Sequence, residues 1–131
     1  MIIIDGYNVI YKWECLSKLL NDIDLARERF INILANYQGY TDEEIVIVFD
    51  SSRFVDIIQK EEVGKNLKIV YAPANQGADL FIERLVASNV NPRSITVISD
   101  DSFERMAVFR NGASVMRSEQ FEKEVIKVTK R

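Results

Sequence analysis

The sequence predicts a three-layer α/β/α domain around a central, mainly parallel sheet of about five strands. Short β-rich apolar runs recur along the chain, and segments with helical period lie between several of them. Strands alternating with helices imply right-handed crossovers and a parallel sheet covered on both faces. Such strands should be apolar throughout rather than alternating, and Ile45-Val46-Ile47-Val48-Phe49 is written that way. The chain has 131 residues with no internal repeat, linker or low-complexity stretch, which is the size of one domain with a core of its own.

The expected strands cover residues 2–4, 45–49, 67–71, 95–98 and 113–116. A first long helix is expected over 24–38, where Ala26, Phe30, Ile33, Leu34 and Tyr37 repeat at helical spacing. Asp24 is its expected N-cap and Gly39 its expected stop. Residues 78–88 place Ala78, Ile82, Leu85 and Val86 on one helical face. Shorter or peripheral helices are expected over 102–110 and 118–128.

Composition removes several kinds of chemistry. No histidine is present, which excludes Ser-His-Asp and Cys-His nucleophiles, histidine general bases and the usual zinc ligands. Cys15 is the sole cysteine, so no disulfide framework or cysteine-rich metal site can form within the chain, consistent with a reducing cytoplasm. The apolar start is cut by Asp5 and lacks the basic lead of a signal peptide. The longest apolar runs are too short to cross a bilayer, so no membrane partner is expected. Hydrolytic chemistry must therefore rest on carboxylates, with a hard cation that takes oxygen ligands.

Three expected strands end on acids: residues 2–4 run into Asp5, 45–49 into Asp50, and 95–98 through Ser99 into Asp100. In open α/β sheets, ligands bind outside the carboxyl ends of the strands, near the point where strand order reverses. Asp79 and Glu83, at i and i+4 on the expected helix over 78–88, add two carboxylates on one face. Asp101-x-x-Glu104 has capping-box spacing, which assigns Asp101 to structure and leaves Asp100 for the site. Asn8, on the loop expected after the first strand, can orient a water or touch a phosphate, and Tyr7, Tyr11 and Trp13 of the same loop can stack bases. Arg53, Lys60 and Lys65 can track a phosphate backbone, although a solvated loop is their default. The net charge of −3 does not advertise a nucleic-acid partner. Setting aside Asp5, Asp50, Asp79, Glu83, Asp100 and Asp101, however, leaves 14 of the 20 acids against 17 bases on the remaining surface.

In this order, Ile4-Asp5-Gly6-Tyr7-Asn8-Val9-Ile10, Leu25-Ala26-Arg27 with Leu34-Ala35-Asn36-Tyr37-Gln38, Val46-Ile47-Val48-Phe49-Asp50, Ala78-Asp79 with Ile82-Glu83, and Val97-Ile98-Ser99-Asp100 resemble the NYN branch of the PIN-like nucleases, most closely the YacP-like family. The resemblance implies a single PIN-like nuclease domain over residues 1–131 and an Mg²⁺- or Mn²⁺-dependent endoribonuclease. By analogy Asp5, Asp79 and Asp100 are the metal-binding acids, with Asn8, Asp50 and Glu83 in support. It also implies RNA as partner, in processing or decay, including mRNA on the ribosome. Hydrolysis by in-line attack of water would leave a 5′-phosphate. Two departures bear on substrate choice: a short segment between Asp50 and Leu67, and Asn75-Gln76-Gly77 where a more acidic lead-in is expected. The alternative is a non-catalytic RNA- or ribosome-binding module on the same fold. A phosphatase with an aspartate nucleophile fits less well, because the residue two after Asp5 is Tyr7 rather than a second aspartate.

Overall fold

The apolar runs become the sheet. The computed structural model describes residues 1–51 and 59–130. Its strands, in chain order, are β1 (Ile2–Asp5), β2 (Ile45–Asp50), β3 (Gln59–Glu62), β4 (Leu67–Ala72), β5 (Thr96–Ile98) and β6 (Ser114–Met116). Among the described residues they form one six-stranded sheet of order β3-β4-β2-β1-β5-β6. All neighbours are parallel except β3, which pairs antiparallel with β4. β3 lies beyond the five strands the sequence suggests, because Gln59-Lys60-Glu61-Glu62 carries no apolar pattern. As an edge strand it has one neighbour, and charge there discourages pairing with another chain.

The helices are α1 (Gly6–Lys12), α2 (Glu14–Ser17), α3 (Ile23–Thr41), α4 (Gly77–Ala87), α5 (Ser102–Arg110) and α6 (Ser118–Thr129). The expected loop after the first strand is instead α1, which starts directly at the end of β1. The start of α3 is also corrected: its N-cap is Asp22, whose side chain accepts the Leu25 N–H at 3.2 Å, and Asp24 sits in the first turn. Gly39 does not stop this helix; nothing crowds it, and the helix runs on to Asp42, whose left-handed φ of 55° ends it.

Successive residues of each central strand feed opposite faces. Ile2, Ile4, Ile45, Ile47 and Phe49 pack with α1, α2, α3 and α6, whereas Ile3, Val46, Val48 and Val97 pack with α4 and α5. Three layers result. On the first face Trp13 packs edge-on to Phe30 and donates its indole N–H to Ser118 O at 2.9 Å, tying the α1–α2 corner to α6. After β1 the chain moves toward β2 and β4, then returns to β5 and β6 on the other flank of β1. The switch point therefore lies between the carboxyl ends of β1 and β5, where the sequence places Asp5 and Ser99-Asp100.

Candidate functional site

Phase along the strand decides which acids meet. Asp5 is two residues beyond Ile3, and Asp50 two beyond Val48, so both turn toward α4 and α5. β5 pairs with β1 as Ile4↔Ile98, so one position further it is Ser99 that stands beside Asp5. Asp100 is one residue out of phase and falls on the α6 side.

There the Asp100 carboxylate is fully engaged. Its Oδ1 accepts the Ser118 N–H at 3.0 Å, its Oδ2 accepts the Ser118 hydroxyl, and Arg117 Nε stands 3.6 Å away. Burial pushes its pKa up, but the two Ser118 hydrogen bonds, Arg117 and Lys12 together hold it below the ordinary aspartate value. It acts as the N-cap that α6 lacks locally, since the Arg117 side chain makes no cap bond. Asp101 caps α5 as the spacing predicts, accepting from the Phe103 and Glu104 N–H groups at 2.9 and 3.2 Å.

Glu104 departs from the capping-box geometry. Its side chain does not return to the Asp101 N–H, which is held instead by Ser99 Oγ at 3.1 Å. It turns into the protein, only 5% exposed, where Ser99 Oγ donates to its Oε2 at 2.8 Å. Its Oε1 is buried with no donor among the described residues. Its neighbour is the Asp5 carboxyl, and two carboxyl groups can bond only by sharing a proton. Burial first, then the Asp5 charge, raises the Glu104 pKa to about 9. Burial, with the charges of Asp50 and Asp79 adding, raises Asp5 to about 6 despite the Glu104 contact and the nearby Asn8 N–H, which lies short of full N-cap geometry.

Asp50 Oδ1 accepts the Ala78 N–H at 2.7 Å and so caps α4 from the end of β2. Gly77, at φ 77°, lets the chain enter α4 beside both acids: a Cβ there would lie 3.2 Å from Asp79 Oδ1 and 3.6 Å from Asp50 Oδ1. Asp79 is exposed and Glu83 half-buried one turn later. Asn8 spans the switch point, its Oδ1 accepting the Asp100 N–H at 2.8 Å. Its role is thus to join two strand ends.

The aromatics expected to stack bases divide. Trp13 is core, 1% exposed, and Tyr7 packs on Phe49 at 4.8 Å while accepting a hydrogen bond from Arg27. Tyr11 is exposed. Lys65 precedes β4 at the amino-terminal edge of the sheet, opposite the acids, which removes it from a phosphate track. Arg53 and the Lys60 side chain lie outside the described residues.

The donor set suits a hard cation. Every charged neighbour that most perturbs Asp5 and Glu104 is another carboxylate. Among the described residues no three acids close around a single point, but Mg²⁺ commonly keeps several waters and needs only one or two carboxylates. The orphaned Glu104 Oε1 beside Asp5 fits that requirement.

Fold and site together define a class: doubly wound α/β domains that gather carboxylates at the switch point of a parallel sheet. The chain belongs to the YacP-like NYN domain family, whose pattern matches residues 2–131. It is 31% identical over 133 residues to the uncharacterized protein YacP of Bacillus subtilis (strain 168), covering 100% of this chain and 78% of that one. The crystal structure of Rae1 (YacP) from Bacillus subtilis superposes with a TM-score of 0.82 at 28% identity, covering 100% of this chain and 76% of that one. The W164L mutant of the same protein also gives 0.82 at 28% identity, with 99% and 77% covered.

Proposed function

We propose that this protein is a metal-dependent endoribonuclease that hydrolyses RNA phosphodiesters with Mg²⁺ or Mn²⁺ held at Asp5. One observation carries the proposal: the half-buried Asp5 carboxyl stands at the switch point, and among the described residues the charged groups that most perturb it are all carboxylates. Clustered anions of this kind are costly unless a cation or a shared proton intervenes. Asp79 and Asp50 lie within electrostatic reach of Asp5, and Glu83 follows Asp79 along α4. Asp100 would have to leave Ser118 to join them. The bound cation would lower the pKa of water and offset charge on the phosphate. The protein's own groups hold it and set its position, and Asn8 keeps the two strand ends in register. A role in RNA processing or decay in the cytoplasm, including mRNA on the ribosome, belongs to the same proposal. It accords with the lack, among the described residues, of any helix long and apolar enough to cross a membrane.

The test is purified protein on single-stranded and structured RNAs with Mn²⁺, Mg²⁺ or EDTA, alongside Asp5→Asn. Cleavage should need the metal, yield 5′-phosphate ends, and fall by roughly three orders of magnitude or more in the variant. RNA binding should persist. Binding without metal-dependent cleavage in the wild type would favour a non-catalytic RNA- or ribosome-binding module.

A further inference from the structure

We propose that Glu104, rather than Asp100, is the acid that holds the divalent cation together with Asp5. The inference rests on the metal-dependent function above and names a ligand for it.

Glutamate is almost never fully buried unless paired, and Glu104 is buried on the same face of α5 as Val108, one turn on. Neither structural use open to it is taken. The capping-box bond to the Asp101 N–H is made by Ser99 instead, and no lysine or arginine is among the groups that most perturb Glu104. Ser99 fixes Oε2, which leaves Oε1 beside Asp5 with no donor among the described residues except a proton shared with Asp5 itself. A buried acceptor of this kind is expensive to leave unsatisfied, and a cation between the two carboxylates would satisfy it. Asp100 is in the opposite condition, with both oxygens engaged by Ser118 and Arg117 close by. Drawing it to a metal would uncap α6, whereas Glu104 would exchange only the proton it shares with Asp5 and keep its bond from Ser99. β-strand phase gives the same assignment, since Ser99 and Asp5 face α5 and Asp100 does not.

Mn²⁺ titration of the full chain, read by the electron paramagnetic resonance of free Mn²⁺, tests this on wild type, Glu104→Gln, Glu104→Asp and Asp100→Asn, with thermal melts in EDTA. Glu104→Gln should melt at or above wild type and bind Mn²⁺ at least about tenfold more weakly. Glu104→Asp, a shorter acid, should also weaken binding and serves if the glutamine variant does not fold. Asp100→Asn should melt lower yet keep Mn²⁺ affinity within about threefold of wild type, well short of the tenfold or greater loss expected for a ligand. Wild-type affinity in a folded Glu104 variant overturns this assignment alone. So does an Asp100→Asn protein that melts normally but loses Mn²⁺. A wild type that binds no Mn²⁺ overturns the metal-dependent function as well.

Discussion

Ser99 Oγ lies 2.8 Å from Glu104 Oε2, and this hydrogen bond joins the end of β5 to the buried acid beside Asp5. The same hydroxyl oxygen accepts the Asp101 N–H at 3.1 Å, so one side chain both orients Glu104 and helps to start α5. Ser99 is fully buried and directly follows Ile98, the β5 partner of Ile4, just past the end of the strand. Asp100, its neighbour, is thereby turned away. A single residue of phase thus separates an acid that faces Asp5 from one that caps a helix.

Ser99→Ala should therefore cost more than a surface serine. It removes a hydrogen-bond partner of the buried Glu104 carboxyl group and the acceptor for a backbone N–H, a loss of about 1–3 kcal/mol. Urea denaturation of wild type and variant measures it. A change under about 0.5 kcal/mol, the size of an ordinary surface substitution, would mean that Glu104 finds another partner.

Asp101→Ala should lower stability by about 0.5–2 kcal/mol through loss of the α5 cap, with metal binding intact. Asp101 is exposed and its Oδ1 serves only the first turn of α5 in the bonds described. A stable variant that no longer binds Mn²⁺ would transfer Asp101 from structure to the site.

Gly6 follows Asp5 at the start of α1, and a Cβ there would enter the Phe49 ring. Alanine normally favours a helix over glycine by about 1 kcal/mol. Gly6→Ala should nevertheless destabilise, by about 1–3 kcal/mol, because the buried ring has little room to move. Phe49→Leu creates space, so the double variant should be more stable than the sum of the two single losses. Strict additivity in denaturation would show that this contact does not set the residue at position 6.

Much of this was legible in the sequence because buried parallel strands are apolar throughout and stop where an acid begins. Ile45 to Asp50 shows both features. β3 was hidden because its four residues are polar, and pairing with β4 alone makes it a strand. α1 was hidden because Gly6-Tyr7-Asn8 is a turn-like string, helical here through its packing under Phe49. Glu104 was hidden by its spacing from Asp101, which offered a complete local use. Two features pointed the other way: Glu104 shares a helical face with the apolar Val108, and Ser99 delays Asp100 by one residue relative to Asp5 and Asp50. Which side a strand-end acid takes depends on register across strands, and that is set by partners distant in the chain.

The pH dependence of stability follows from the same pair. Both Asp5 and Glu104 have folded-state pKa values above their ordinary ones, about 6 and about 9. Below these values the folded protein thus holds protons that the unfolded chain has released, and at neutral pH the proton still held is that of Glu104. Stability from this source is fully present below the unfolded values of 3.8 and 4.5 and is lost as pH rises through the folded ones. Each proton contributes a slope of at most about 1.4 kcal/mol per pH unit. Asp100 acts oppositely: its lowered pKa supplies stability above the ordinary aspartate value, lost as pH falls through the folded one. In EDTA the protein should therefore be most stable at mildly acidic pH and weaken steadily from about pH 6 toward 9. Urea denaturation across pH 5 to 9 in about half-unit steps, on wild type and Glu104→Gln, measures this through the slope of stability with pH. The variant lacks one of the two titrating groups and should show a flatter profile above neutrality. Wild-type stability that holds level or climbs between pH 6 and 9 would mean that Glu104 does not retain its proton in the folded state.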